Sequence, residues 1–513
     1  MVVKTITAAL QGINATVVHC ETVTAPGIRV IMIGLPDMAV KESRDRIESA
    51  LLESGMKFPR RAVTINLAPA DVRKEGALYD VPIAVAVLAA DGKIPTDKLD
   101  KYMLVGELSL DGAVKPVKGC LPFAILAREM GLQGIIVPRE NGVEAAVVNN
   151  LEVRVADHLR DVLGFMMGES EMEILQLDTR EIFRQAERHY ACDFADVKGQ
   201  GVVKRAFAIA AAGGHNLIMV GPPGAGKSMM AKCLPSILPP LSLGEALETT
   251  KIHSVAGYRS ETGLVTQRPF RSPHHTVSSV ALIGGGTNPM PGEVSLSHNG
   301  VLYLDELTEF SKSVLEVMRQ PLEDRQITIA RAKNTVTYPA SVMLVASMNP
   351  CPCGYYNHPT HPCTCTASQI QKYMGKVSGP LLDRIDLQID ILPLSFEEMS
   401  KTTVAESSEE IRKRVVAARQ IQQVRFKDHP LIHCNALMTP AMLREYCQLD
   451  DRAIKLLKNA MTKLDLSARA YDRILKVART IADYEGAENI SSAHIAEAIS
   501  YRNMDRSSWG QNG

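Results

Sequence analysis

Gly221-Pro-Pro-Gly-Ala-Gly-Lys-Ser228 is the stretch on which the fold turns. It matches G-x-x-x-x-G-K-[ST], and its surroundings fit. Apolar Leu217–Val220 reads as a short strand before it, and Met229–Leu234 continues as a helix after it. A strand, a glycine-rich turn and a helix in that order gather backbone N–H groups and the positive end of a helix dipole at one point. That arrangement cradles phosphates. Gly221, Pro222, Pro223, Gly224, Ala225 and Gly226 would form the cradle. Lys227 would reach the β and γ phosphates of ATP, and Ser228 would ligate Mg2+.

Working outward, Val301–Glu306 is an apolar strand ending in two acids. Asp305 is expected in the Mg2+ shell, and Glu306 is expected to orient and deprotonate the attacking water. Val342–Ser347 reads as a further buried strand, closely followed by Asn349, whose amide can contact the γ phosphate or that water. Three apolar strands ending in polar residues place these groups at the carboxyl edge of one parallel sheet.

Three other stretches carry chemistry. Cys351-Pro-Cys353 and Cys363-Thr-Cys365 can close a four-thiolate zinc site, with His358 and His361 as substitutes, or stand as a cysteine-rich loop without metal. Arg325–Tyr338 alternates like a hairpin and offers Arg325, Arg331 and Lys333 to nucleic-acid phosphates. Residues 257–292 offer Arg268, Arg271, His274 and His275 in the same way. Ile411–Lys427 holds six basic residues and no acid, and reads as a solvated helix face.

Composition limits the classes. The chain has 513 residues, enough for about three domains. Lys+Arg and Asp+Glu are both 57, so any nucleic-acid contact must come from local patches. The longest apolar runs, near Ile83–Ala90 and Ala206–Ala212, are too short to span a bilayer, which needs about 20 residues. No membrane partner is expected. Ten cysteines without a secretory leader point to a reducing, cytoplasmic setting.

Residues 1–165 read as strands alternating with helices, residues 166–192 as a polar helical connector, and residues 193–394 as a second α/β block. Residues 395–505 read as all helical.

The second block resembles the AAA+ ATPases, in the branch shared by magnesium-chelatase motor subunits and minichromosome-maintenance helicases. Phe194–Gln200 is similar to the segment that folds over adenine, which gives Gln200 to the nucleotide. Gly379–Asp386 resembles an arginine-finger segment, making Arg384 the finger; Leu466–Arg473 resembles the second sensor, as Arg469 or Arg473. A finger supplied by a neighbour implies a homo-hexamer. Residues 1–165 resemble a Lon-protease-type domain through Lys74–Pro82, Val105–Pro116 and Gly134–Asn141. The first stretch offers Ala77, Leu78 and Tyr79 but no Ser, and Gly119–Ala127 contains no Lys, so a Ser–Lys pair is not expected and the domain would serve assembly or DNA contact.

A Lon-type domain, a chelatase-type AAA+ core and a helical C-terminal domain in this order resemble the ComM/YifB family. Pro269–His275, Ala281–Gly286 and Asn349–Gly354 carry the same resemblance. It implies an ATP-driven motor on single-stranded or branched DNA, a branch-migration helicase of natural transformation. The alternative is a chelatase-like ATPase that remodels a protein partner.

Overall fold

The computed structural model describes residues 2–185, 190, 192–286, 288–330, 335–393, 406–429, 431–464 and 466–502. The first module is built on an eight-stranded sheet. From one edge its strands are Ile174–Leu175, Glu152–Ala156, Gly134–Pro138, Tyr102–Leu104, Val3–Gln11, Asn14–Ala25, Ala62–Ala68 and Val30–Ile33. The two longest form an antiparallel hairpin turning at Gly12, where φ is +65°. Their sequence hides them, because Thr5 and Thr7 are fully buried beside apolar neighbours and the period-two alternation is lost. Helix Asp80–Ala90 is buried along almost its whole length against this sheet.

The connector expected at 166–192 needs correction. Ile174–Leu175 pairs with Glu152–Ala156 as an edge strand, and Leu177 and Phe183 pack on the first module's core. Residues 166–185 therefore belong with the first module. The two α/β modules also share a core, since Leu241, Ala246 and Leu264 of the second join the apolar cluster of the first.

The second module holds a five-stranded parallel sheet in the order Phe270–Arg271, Val301–Leu304, Met343–Met348, Leu217–Val220 and Leu387–Asp390. The central strands are wholly buried, as continuous apolar runs demand. The C-terminal region is built of helices Ser408–Arg425, Pro440–Tyr446, Asp451–Lys463, Ala468–Tyr484 and Ser492–Ser500. They share one core with helix Gly201–Gly213 and one face of the sheet. Among the described residues no helix is long and apolar enough to cross a membrane.

Candidate nucleotide site and its surroundings

The carboxyl edge of the parallel sheet collects the expected residues. Strand Leu217–Val220 runs into the glycine-rich loop, and helix Lys227–Ile237 leaves it. Gly221 is required by close approach: a Cβ there would stand 2.4 Å from the Ile391 carbonyl oxygen. Gly224 and Gly226 adopt φ of +78° and +83°, which curl the loop.

Lys227 Nζ donates to the Gly221 carbonyl at 2.6 Å, the Pro222 carbonyl at 2.9 Å and Asn349 Oδ1 at 3.1 Å. Burial pushes its ammonium below the ordinary lysine value, against the pull of Asp305 and Glu306. Ser228 Oγ donates to Asp305 Oδ2 at 2.8 Å, so the hydroxyl and the carboxylate stand where one Mg2+ can take both. Burial opposes ionisation of Asp305, but the hydroxyls of Ser347, Ser228 and Tyr303 hold its carboxyl below the usual range. Glu306 follows with φ of +52° and a side chain 59% exposed, while its backbone N–H donates to Asp305 Oδ1 at 3.1 Å. Gln200 caps helix Gly201–Gly213 and donates from Nε2 to the Leu392 carbonyl at 2.7 Å.

Three residues of this edge escaped the sequence reading. Ser347 and Tyr303 are apolar-strand residues whose hydroxyls reach Asp305 and each other, and only the pairing of their strands reveals it. His275 was expected among residues that face nucleic acid. Its Nδ1 instead lies 3.7 Å from Glu306 Oε2, with the His274 ring tilted against it at a ring separation of 4.0 Å.

The arginines implied by the family resemblance sit at the other edge. Leu217 pairs with Leu387 and Val220 with Asp390, so residues 383–386 precede the sheet where the phosphate loop follows it. The separation is on the order of 13 Å. Arg384, expected as the finger, is folded back onto its own chain. Its side chain is 7% exposed, with Nη2 2.6 Å from Glu323 and Nη1 donating to the Pro380 carbonyl. Arg473, partly exposed, pairs with the buried Asp386 at 2.7 Å. Arg469, 61% exposed, lies 3.7 Å from Asp383. None of the three approaches its own chain's phosphate loop.

Most of the expected phosphate contacts are already engaged. Arg268 pairs with Glu245 and donates to the carbonyls of Pro239 and Asn299, and Arg271 pairs with Glu293. Arg325 lies inside, donating to the Val342 carbonyl. These three are corrected to structural roles. Arg331 and Lys333 lie outside the described residues, although Gln326–Ala330 and Thr335–Pro339 do pair as a hairpin. The basic helix Ser408–Arg425 spends its cations on Glu409, Glu406 and Asp483 and on the carbonyls of Ala211 and Ala212.

Cys351, Cys353, Cys363 and Cys365 bring their Sγ atoms within 4.8 Å of one another. The closest separations are 3.3, 3.6 and 3.7 Å. A zinc–sulfur bond of about 2.3 Å in a tetrahedron requires about 3.8 Å between sulfurs, so the donor set fits. His358 instead accepts hydrogen bonds from Thr360 and His361 and is not part of the cluster.

In the first module, Ala77, Leu78 and Tyr79 form a short 3-10 turn, and the Lys118 side chain runs along Gly257 of the second module. Lys74 is buried and donates to the Pro69 carbonyl.

This fold and site define a magnesium-chelatase-like AAA+ ATPase. Family models agree: magnesium chelatase subunit ChlI matches residues 193–399, subunit ChlI of Mg-chelatase matches 20–141, and the ChlI C-terminal model matches 405–502. The chain is 44% identical over 504 residues to the uncharacterized protein YifB of Escherichia coli, covering 98% of this chain and 97% of that one. It is 41% identical over 502 residues to the competence protein ComM of Haemophilus influenzae, covering 97% of each. A shorter match, 32% over 101 residues, joins 20% of this chain to 18% of Lon protease 2 of Bacillus subtilis. The chain belongs to the ComM/YifB family.

Proposed function

We propose that this protein hydrolyses ATP with Mg2+ to drive a ring-shaped motor on DNA. The carrying observation is the convergence of Lys227, Ser228, Asp305, Glu306 and Asn349 on one sheet edge. The loop N–H groups and Lys227 bind the phosphates, Ser228 and Asp305 hold the metal, and Asn349 orients Lys227 and the γ phosphate. Mg2+ neutralises phosphate charge when bound. Glu306, its side chain exposed, takes a proton from the attacking water, and His275 positions its carboxylate. Gln200 fixes the segment beside the base.

The arginines support assembly. Arg384 and Arg469 lie at the edge opposite their own phosphates, so any arginine contact they make with ATP is to a neighbouring copy's site. Arg469 is exposed and needs no rearrangement, whereas Arg384 must first leave Glu323. A homo-hexamer is the closed ring this reading calls for.

DNA is the favoured track because a relative over nearly the full chain is named a competence protein, and competence is the uptake of DNA. Branch migration of single-stranded or branched DNA, independent of sequence, is the corresponding reaction. The first module, without a Ser–Lys pair, acts in assembly or DNA contact, and the Cys cluster carries one structural zinc. Remodelling of a protein partner stays as the second reading, favoured by the internal pairing of Arg268 and Arg271.

Steady-state ATPase with and without single-stranded and branched DNA tests the reading. DNA is expected to stimulate turnover and to bind with a steep salt dependence. Turnover indifferent to DNA, together with no salt-sensitive binding, refutes the DNA reading and leaves the ATPase intact. Mixing inactive Glu306→Gln chains with inactive Arg469→Ala or Arg384→Ala chains should restore activity for whichever arginine acts in trans.

A further inference from the structure

The Cys cluster lies against the nucleotide site. Cys351 follows Asn349 by two residues, and Asn349 Oδ1 accepts from the phosphate-loop Lys227. Gly354, with φ of +84°, seats its α-carbon on the same loop: a Cβ there would stand 2.7 Å from Pro223 Cδ. The turn is drawn together by Gly354 N–H donating to the Cys351 carbonyl at 3.0 Å and by the Tyr356 N–H directed at Cys351 Sγ at 3.3 Å. Further along, Tyr356 and His358 wall a cavity whose other side is Gly221, Pro222 and Leu392.

The segment has little else to hold it. Residues 351–365 contain no helix or strand, and only Cys351 and Gly354 are buried. A loop of this length without apolar burial does not offset its own ordering entropy. Beside the rings of Tyr355, His358 and His361, which meet at 4.9 to 5.5 Å within the middle of the loop, its ends are brought together by the four thiols, and a tetrahedral zinc would join them.

We infer that zinc held by Cys351, Cys353, Cys363 and Cys365 is a clamp on the nucleotide site: it fixes the loop that presents Asn349 to Lys227 and presses Gly354 on Pro223, so nucleotide binding and turnover depend on the metal. This inference rests on the ATPase reading above. The chemistry is that of a resident structural ion. Four thiolates select zinc over the Mg2+ of catalysis, a hard cation that prefers oxygen, so the two metals can be removed separately.

The test uses the full chain, purified without chelator. Elemental analysis is expected to find about one zinc per chain. Stripping with a thiol-compatible zinc chelator, with Mg2+ in excess, should weaken binding of a fluorescent ATP analogue and cut turnover by on the order of 10²-fold, as for a catalytic group displaced by about 1 Å. Added zinc should restore both, while the far-ultraviolet circular dichroism stays constant. Cys363→Ser with Cys365→Ser should reproduce the stripped protein. Gly354→Ala should keep its zinc yet lose nucleotide affinity, because the added methyl meets Pro223; this separates the seat from the metal and does not depend on the cysteine variant folding. Protein with no stoichiometric zinc overturns the inference. So does zinc-free protein that binds the analogue as well as the loaded form. Loaded wild-type protein that binds no nucleotide at all refutes the ATPase reading instead.

Discussion

The two edges of the five-stranded sheet carry similar residues to opposite ends. At the carboxyl edge, Lys227, Asp305, Glu306 and Asn349 stay partly open to solvent, so a ligand can replace their present partners. At the amino edge, Asp386 is 1% exposed and bound by Arg473 at 2.7 Å and by His215 at 3.4 Å, and its second oxygen accepts the Asn216 N–H. Polar residues at a strand end are therefore not equivalent. Those beside a helix N-terminus and a glycine-rich turn are poised for chemistry, and those locked in buried reciprocal pairs tie the helical C-terminal region to the sheet.

Substitutions should separate the edges. Glu306→Gln should lower turnover by about 10²–10⁴-fold while leaving ATP affinity and thermal stability unchanged, as measured by steady-state hydrolysis and nucleotide titration. A fold-wide loss of stability in that variant would erase the contrast. Asp386→Asn should do the reverse, costing about 3–5 kcal/mol of stability because it removes the buried carboxylate that holds Arg473, leaving a largely covered cation without its partner. Denaturant unfolding reads this. Lys227→Ala should weaken ATP binding by about 2–3 kcal/mol, the worth of charged hydrogen bonds to phosphate, with little change in unfolding midpoint.

The amino edge should also respond to acid. Burial opposes ionisation of Asp386, but Arg473 and His215 hold its carboxyl far below the usual range. Burial pushes His215 below its ordinary value of 6.5, against Asp386. Both folded values are depressed, so the unfolded chain takes up protons first as pH falls. Stability should drop below about pH 6.5 through His215 and again below about pH 4 through Asp386. Asp386→Asn should flatten the second limb; an unchanged acid profile would show that the network does not set stability.

The smallest effect belongs to His275. Its pair with Glu306 is half in solvent, worth at most about 1 kcal/mol. His275→Gln should lower kcat by up to about fivefold with KM unchanged, and His275→Ala should do at least as much. A rise in KM instead would place His275 in substrate binding.

Much of the geometry of the carboxyl edge was legible because its logic is local. A strand, a glycine-rich turn and a helix are contiguous in sequence, and strands ending in Asp305-Glu306 or before Asn349 announce themselves by apolar runs. The four cysteines were equally visible by spacing. The hairpin Val3–Gln11 with Asn14–Ala25 was not, since burial of Thr5 and Thr7 removed its period. The side-chain roles of Arg268, Arg271, Arg384 and Arg473 were beyond reach for a different reason. An arginine has the same charge whether it faces a phosphate or a carboxylate, and Glu245, Glu293, Glu323 and Asp386 lie 22 to 87 residues away from the arginines they hold.

The sequence alone determined the phosphate cradle, the order of modules and the candidate metal ligands, because each depends on the identity and spacing of neighbouring residues. Only the tertiary structure decided which basic groups are spent internally, that Ile174–Leu175 closes the first sheet, that His275 meets Glu306, and that the Cys loop rests on Pro223. Those facts depend on contacts between segments distant in the chain, where burial and pairing, not residue type, fix what a side chain can do.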